Sequence, residues 1–300
     1  MKTVKNITLF MSLLLPYLLS GQQYCSYELR AIDAYQANDF VLAKSYIDSA
    51  LTICENKNTN AYYWHVKGFI EKDIYLKVDS SNVNSSNRDL AIAAFIKSIE
   101  LDTITNEFES ANRKALAFLG STYNNDAAGL MDTINFEQAM LFYSKYKNVY
   151  KVAKPSFNFK QKDLEYNNSL AHILYLKYDN NPNKNVSYLN RAIASYNNSL
   201  AIDSLNYSAN YNLGIMYHNL GVSVIKNMDD EISFEALISS QENAVSQFVR
   251  ALPFLKRAYL LQPNVQNNLT ALAAVYISLN DYESSNLYLE ELNELKESDE

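Results

Sequence analysis

Two short patterns alternate along the chain, and their alternation constrains the fold more than any other feature. The first is Leu-Gly-x-x-Tyr, at Leu119-Gly120 with Tyr123 and at Leu213-Gly214 with Tyr217. The second is an alanine, an aromatic one helical turn on and a small residue a further turn on: Ala91, Phe95 and Ser98, then Ala192, Tyr196 and Ser199. Such spacings place side chains on one face of a helix. A small residue on that face lets a second helix approach closely, and a ring on the partner fills the space beside it. Each pair of patterns therefore specifies a helical hairpin, and their recurrence points to units that bury a core only by stacking.

Composition supports helix over strand. The chain has 6 Gly and 5 Pro in 300 residues, where average usage would give about 36 of the two together. Strand-rich sandwiches and barrels spend these residues on turns, so the shortage excludes them together with collagen-like and linker-like chains. At 48% hydrophobic and 20% charged, wholesale disorder is excluded as well.

The alternation resembles the tetratricopeptide repeat, whose signature is W-x2-L-G-x2-Y followed by A-x3-F and a closing Pro. Six units can be read. The first has Ala31, then Phe40, Ala43, Ile47 and Ala50; the second Trp64 and Gly68, then Ala91 and Phe95. The third has Leu119-Gly120 and Tyr123, then Phe136, Ala139 and Tyr143; the fourth Leu170-Ala171, then Ala192 and Tyr196. The fifth has Leu213-Gly214 and Tyr217, then Ala251, Leu255, Ala258 and Pro263, and the sixth Leu272-Ala273 and Tyr276, then Tyr282, Ser285 and Leu289. The resemblance implies an all-α fold, a right-handed α-solenoid of about six helical hairpins with inserted turns, over residues 22–295.

From the small residue of the first helix to the alanine slot of the second, the separation is shortest in the end units (31 to 43, 273 to 285) and longer in the four interior ones (68 to 91, 120 to 139, 171 to 192, 214 to 251). All four insertions fall within a unit, so they should emerge along one edge of the solenoid. Three read as polar turns, at 78–87, 124–135 and 179–186. The fourth, 227–250, opens on Asp229, Asp230 and Glu231, suited to a helix start, and continues as a long helix that Pro253 inside it should bend or restart. A hinge is expected near 150–163, around Pro155, and residues 296–300 read as an acidic tail.

The first 21 residues read as a secretory signal peptide: Lys2 and Lys5, an apolar run at 7–19, then Ser20 and Gly21. Cleavage falls after Ser20 or Gly21. Lipidation would need an unorthodox cut, because Gln22 stands where a lipoprotein has its Cys and Cys25 follows three residues later. Export implies a periplasmic, cell-envelope or extracellular location in a bacterium, with no integral membrane segment after cleavage. Two cysteines in an exported chain suggest a disulfide. Cys25 and Cys54 flank Asp39 almost symmetrically, so a hairpin turning there brings them to the same end; the alternative is two unpaired thiols. Lys+Arg 26 against Asp+Glu 33 gives a net charge of -7, and with no Lys/Arg cluster evident, nucleic acid is not an expected partner.

Chemistry is sparse. His65, His172 and His218 have no Cys, His or carboxylate one turn away on their own helices, so a helical zinc site is not read, and no metal or cofactor is expected. The glycine-rich phosphate loops and the G-x-S-x-G elbow are missing, EF-hand spacing is not met, and the expectation is a chain that is not an enzyme. The resemblance puts Tyr62, His65, Phe69, His172, Tyr175, Tyr211 and His218 on the first-helix face that lines the concave groove. There they are either a mixed aromatic and polar ligand trough or ordinary packing side chains. The family's basic clamp for peptide C-termini is not recognisable. The functional expectation is a protein-interaction scaffold that binds a protein or peptide through the concave face or the inserted edge. The alternative is a glycan- or nutrient-binding helical repeat of the cell surface.

Overall fold

A computed structural model describes residues 26–54, 56–228 and 232–298. The signal segment, Cys25, the carboxylates at 229–231 and the end of the acidic tail lie outside the described residues. The described chain is helical without strands: α1 (Ser26–Gln36), α2 (Phe40–Ile53), α3 (Ala61–Asp73), α4 (Ser86–Leu101), α5 (Glu109–Gly129), α6 (Phe136–Ala153), α7 (Lys160–Asp179), α8 (Val186–Ile202), α9 (Tyr207–Lys226), α10 (Phe234–Leu261), α11 (Gln266–Ser278) and α12 (Tyr282–Ser298). The helices pair in chain order, α1 with α2 through α11 with α12, as the repeat requires.

The turns explain how so few glycines suffice. Left-handed backbone positions are occupied by Asn38 (φ 62), Asn56 (φ 56), Asn106 (φ 51) and Asn280 (φ 59), and asparagine tolerates this region better than other side chains. The first and last hairpins turn on the same dipeptide. At Asn38-Asp39 the backbone closes α1 through Asp39 N–H to Ala34 O (2.9 Å) and Asn38 N–H to Tyr35 O (3.0 Å), a Schellman end. The Asp39 carboxylate then accepts from Leu42 N (3.0 Å) to start α2. Asn280-Asp281 repeats this, with Asp281 N–H to Tyr276 O (2.9 Å) and Ser284 N–H to the Asp281 carboxylate (3.0 Å).

The chain divides into two compact units, Met1–Asp126 with Tyr143–Phe157, and Ala127–Phe142 with Asn158–Glu300. One division, at 157/158, lies within the stretch expected as a hinge; the others cut across α5 and α6. In the first unit Ala31, Ala43, Ile47, Ala50, Ala91 and Phe95 are completely buried. A Cβ on Gly68 would lie 2.6 Å from the Phe95 ring, so α3 and α4 touch there only because the slot is glycine. Gly120 plays the same part more loosely against Val149 and Tyr150. Arg88 of α4 is buried between rings: its Cζ is 3.8 Å from the Tyr123 centroid and 5.2 Å from that of Tyr75, and Nη1 donates to Asp126 Oδ2 at 2.5 Å.

In the second unit Ala171, Ala192, Leu213, Ala251, Ala258 and Leu272 are completely buried. A Cβ on Gly214 would meet Leu255 Cγ at 2.6 Å. Gly221, which the repeat leaves unassigned, is a second crossing point: its Cβ would press on Phe248 and come within 2.9 Å of Ala244 O.

Several expectations are corrected. The insertions at 78–87 and 179–186 form the expected polar turns, over 79–85 and 180–185, whereas the first half of 124–135 is helix because α5 continues through Gly129; α3 itself runs on through a π-helical turn at Ile74–Val78. The long insertion forms the expected long helix, giving α10 its 28 residues, but the helix does not restart at Pro253. Pro253 leaves the Val249 carbonyl without its helical donor, at a residue that is 54% exposed to solvent. In the sixth unit Tyr282, the first residue of α12, is 61% exposed rather than packed.

Candidate functional site

In the first unit, Tyr62, His65 and Phe69 follow one another by turns of α3. His65 is buried, with Nδ1 2.7 Å from Asn112 Oδ1 and its ring 4.7 Å from Phe108 and 4.9 Å from Phe69. Burial lowers its pKa, against the Asn112 hydrogen bond and the carboxylates of Glu107 and Asp102. His65 thus ties α3 to α5 as a packing residue and is out of reach of a ligand. Tyr62 and Phe69 are half-buried. With Ile32, Tyr35, Val66 and Ile70 they line a shallow apolar depression of about 10 Å3, room for the tip of one side chain.

In the second unit Tyr175 and His218 each pair with the next first helix, and Tyr211 pairs within its own helix with a tyrosine that does so. The Tyr175 hydroxyl accepts from Asn219 Nδ2 (3.3 Å). Tyr211 stacks on Tyr207 at 5.9 Å and 12°, and the Tyr207 hydroxyl donates to Asn268 Oδ1 (3.0 Å). His218 Nε2 lies 3.1 Å from Ser278 Oγ, and burial lowers its pKa. His172 is exposed. The phenols of Tyr175 and Tyr211 are pushed up by burial, which keeps them protonated. This arrangement holds hairpins together and presents ring edges; it does not converge on one reacting point. Among the described residues, no three of His, Cys, Asp and Glu gather as metal ligands, and no helix is long and apolar enough to cross a membrane.

Two surface features escaped the sequence reading. One is a cleft of about 600 Å3 in the first unit, where Arg113, Lys114 and Lys154 face Asn106, Glu109 and Ser110. Arg113 Nε is held by Glu109 at 2.6 Å. Only Lys154 of the local run Lys145, Lys147, Lys151 and Lys154 reaches the cleft; Arg113 and Lys114 come from α5, so no single stretch of sequence marks it. The other is a groove of about 410 Å3 in the second unit, between α8 and the outer parts of α9 and α10.

No protein-family model matches the chain, and no curated protein does. Among solved structures, the chain is similar to "Crystal structure of MamA protein", with 15% identity, TM-score 0.33, and 76% of this chain and 92% of that one covered. It is also similar to "Crystal structure of PilW, widely conserved type IV pilus biogenesis factor", with 16% identity, TM-score 0.32, and 89% and 90% covered. A third is "TPR2AB-domain:pHSP90-complex of yeast Sti1", with 14% identity, TM-score 0.27, and 90% and 89% covered. Scores this low carry no argument about fold or function.

Proposed function

We propose that this chain is a non-enzymatic protein-interaction scaffold, exported to the periplasm or cell envelope, that binds a partner through its first-helix face or its inserted edge. The supporting observation is the state of its aromatic side chains. The polar groups of Tyr175, Tyr207 and His218 are spent on holding successive hairpins, and what is left at the surface is ring edges with apolar and amide-bearing ground on helices, a surface for complementarity rather than for chemistry. Export rests on the basic-apolar-small order of residues 1–21, and with it goes a Cys25–Cys54 disulfide. Equal thiol labelling of the native exported protein with and without reductant would exclude that bond.

The reading is tested by exposing immobilised mature protein in parallel to solubilised envelope proteins and to a glycan array. A protein retained by the wild type and lost from Tyr62→Ala supports it. A specific glycan signal, lost from Tyr62→Ala or Tyr211→Ala with no protein retained, contradicts it.

A further inference from the structure

The groove of the second unit has a floor and two walls of different chemistry. Leu189 and Ile193 of α8 and Leu220 and Val224 of α9 supply half-buried aliphatic ground. Above it stand carboxamides: Asn183 and Asn190 on one side, Asn243 and Gln247 on the other. Asn243, Gln247 and Arg250 are spaced to form one row along α10. Gln247 Nε2 donates to Asn243 Oδ1 at 3.2 Å, which leaves the Gln247 carbonyl and the Asn243 amino group for a ligand. Asn183 and Asn190 make no side-chain hydrogen bond, and Arg250 no ion pair, among the described residues.

Resting on the scaffold reading, we propose that this groove binds an extended peptide segment of the partner. Apolar side chains lie against the floor, the main chain pairs with the carboxamides, and a carboxylate sits beside Arg250. A carboxamide offers a donor and an acceptor together, the complement of a peptide unit. A helical ligand would already satisfy its own main chain and have no use for them; an extended one presents every N–H and C=O. The floor argues against a glycan, since it is aliphatic and the Tyr217 ring at its side is already stacked on Phe254 at 5.9 Å and 17°. Arg250 sets the charge preference, its guanidinium matching a carboxylate.

The test screens the full chain against a synthetic array of decapeptides with alternating apolar residues and an acidic, neutral or basic end, beside an oligosaccharide array. The wild type should select acidic-ended peptides. The double variant Asn183→Ala with Asn190→Ala should weaken the selected peptides tenfold or more, and Arg250→Glu should shift selection to basic ends. All three positions are exposed, so thermal unfolding should match the wild type. Selected peptides that bind these variants as tightly as the wild type overturn the proposal, as does an oligosaccharide signal abolished by the double variant. Peptides lost from Tyr62→Ala but not from the edge variants overturn the groove and leave the scaffold reading standing. No peptide selected, alongside no envelope protein retained, removes both.

Discussion

Individual residues set the pH response and the turns. Glu28 of α1 is buried against the Tyr63 hydroxyl, and burial raises its pKa above the ordinary 4.5, with the Tyr63 hydrogen bond and Lys57 pulling the other way. A carboxyl that holds its proton more tightly in the folded chain contributes stability that is complete below its unfolded pKa and is lost as pH rises through the folded one. Glu28→Gln should therefore stabilise the chain at pH above the folded value and add little in acid, read from urea denaturation at the two pH values. His65 has the opposite sign: its lowered pKa gives stability present above 6.5 and lost as pH falls from there toward the folded value. At the turns, Asn38→Ala should cost about 1–2 kcal/mol because a Cβ without a local hydrogen-bonding tip is strained at φ 62, while Asn38→Gly should be tolerated. The sequence shows Asn38-Asp39 and Asn280-Asp281 openly. Their importance was not legible because glycine, not asparagine, was the residue counted as the marker of turns.

Between elements, contact distance decides. Gly214→Ala and Gly221→Ala should each cost about 1–3 kcal/mol, since the added methyl meets Leu255 in one case and Phe248 with the Ala244 backbone in the other. Gly129→Ala, with open space around its Cβ, should gain about 0.5–1 kcal/mol from reduced chain entropy. Chemical denaturation of the three variants separates a packing role from a mere helix preference. The crossings at Gly68, Gly120 and Gly214 follow from the repeat. That at Gly221 does not, because it arises only when the inserted residues lengthen α10 enough to reach it. Pro253 was legible as a position, but the helix does not restart there: it runs through the proline from Phe234 to Leu261. Pro253→Ala should stabilise α10 by about 1–3 kcal/mol.

For the whole chain, the order of hairpins is written in the sequence, because each packing slot carries its own residue type. Surfaces are written less clearly. The seven aromatic and histidine positions on the first-helix face do lie on first helices, yet His65 is enclosed, Tyr175 and His218 are engaged with neighbouring hairpins, and Tyr211 is stacked on Tyr207 of its own helix. Burial of that kind depends on which hairpin stacks next, and no single-helix pattern encodes it. The basic cleft and the amide groove are likewise assembled from distant segments, so neither the net charge nor local spacing announced them. The scaffold reading is most directly tested by placing a photo-crosslinking residue at position 62, 190 or 260 of the full chain in its native host. The expected result is discrete protein adducts from 62 and 190 and none from 260, an exposed position on α10 that lines neither surface. Adducts from 260 alone, or none from 62 and 190, would contradict the scaffold account.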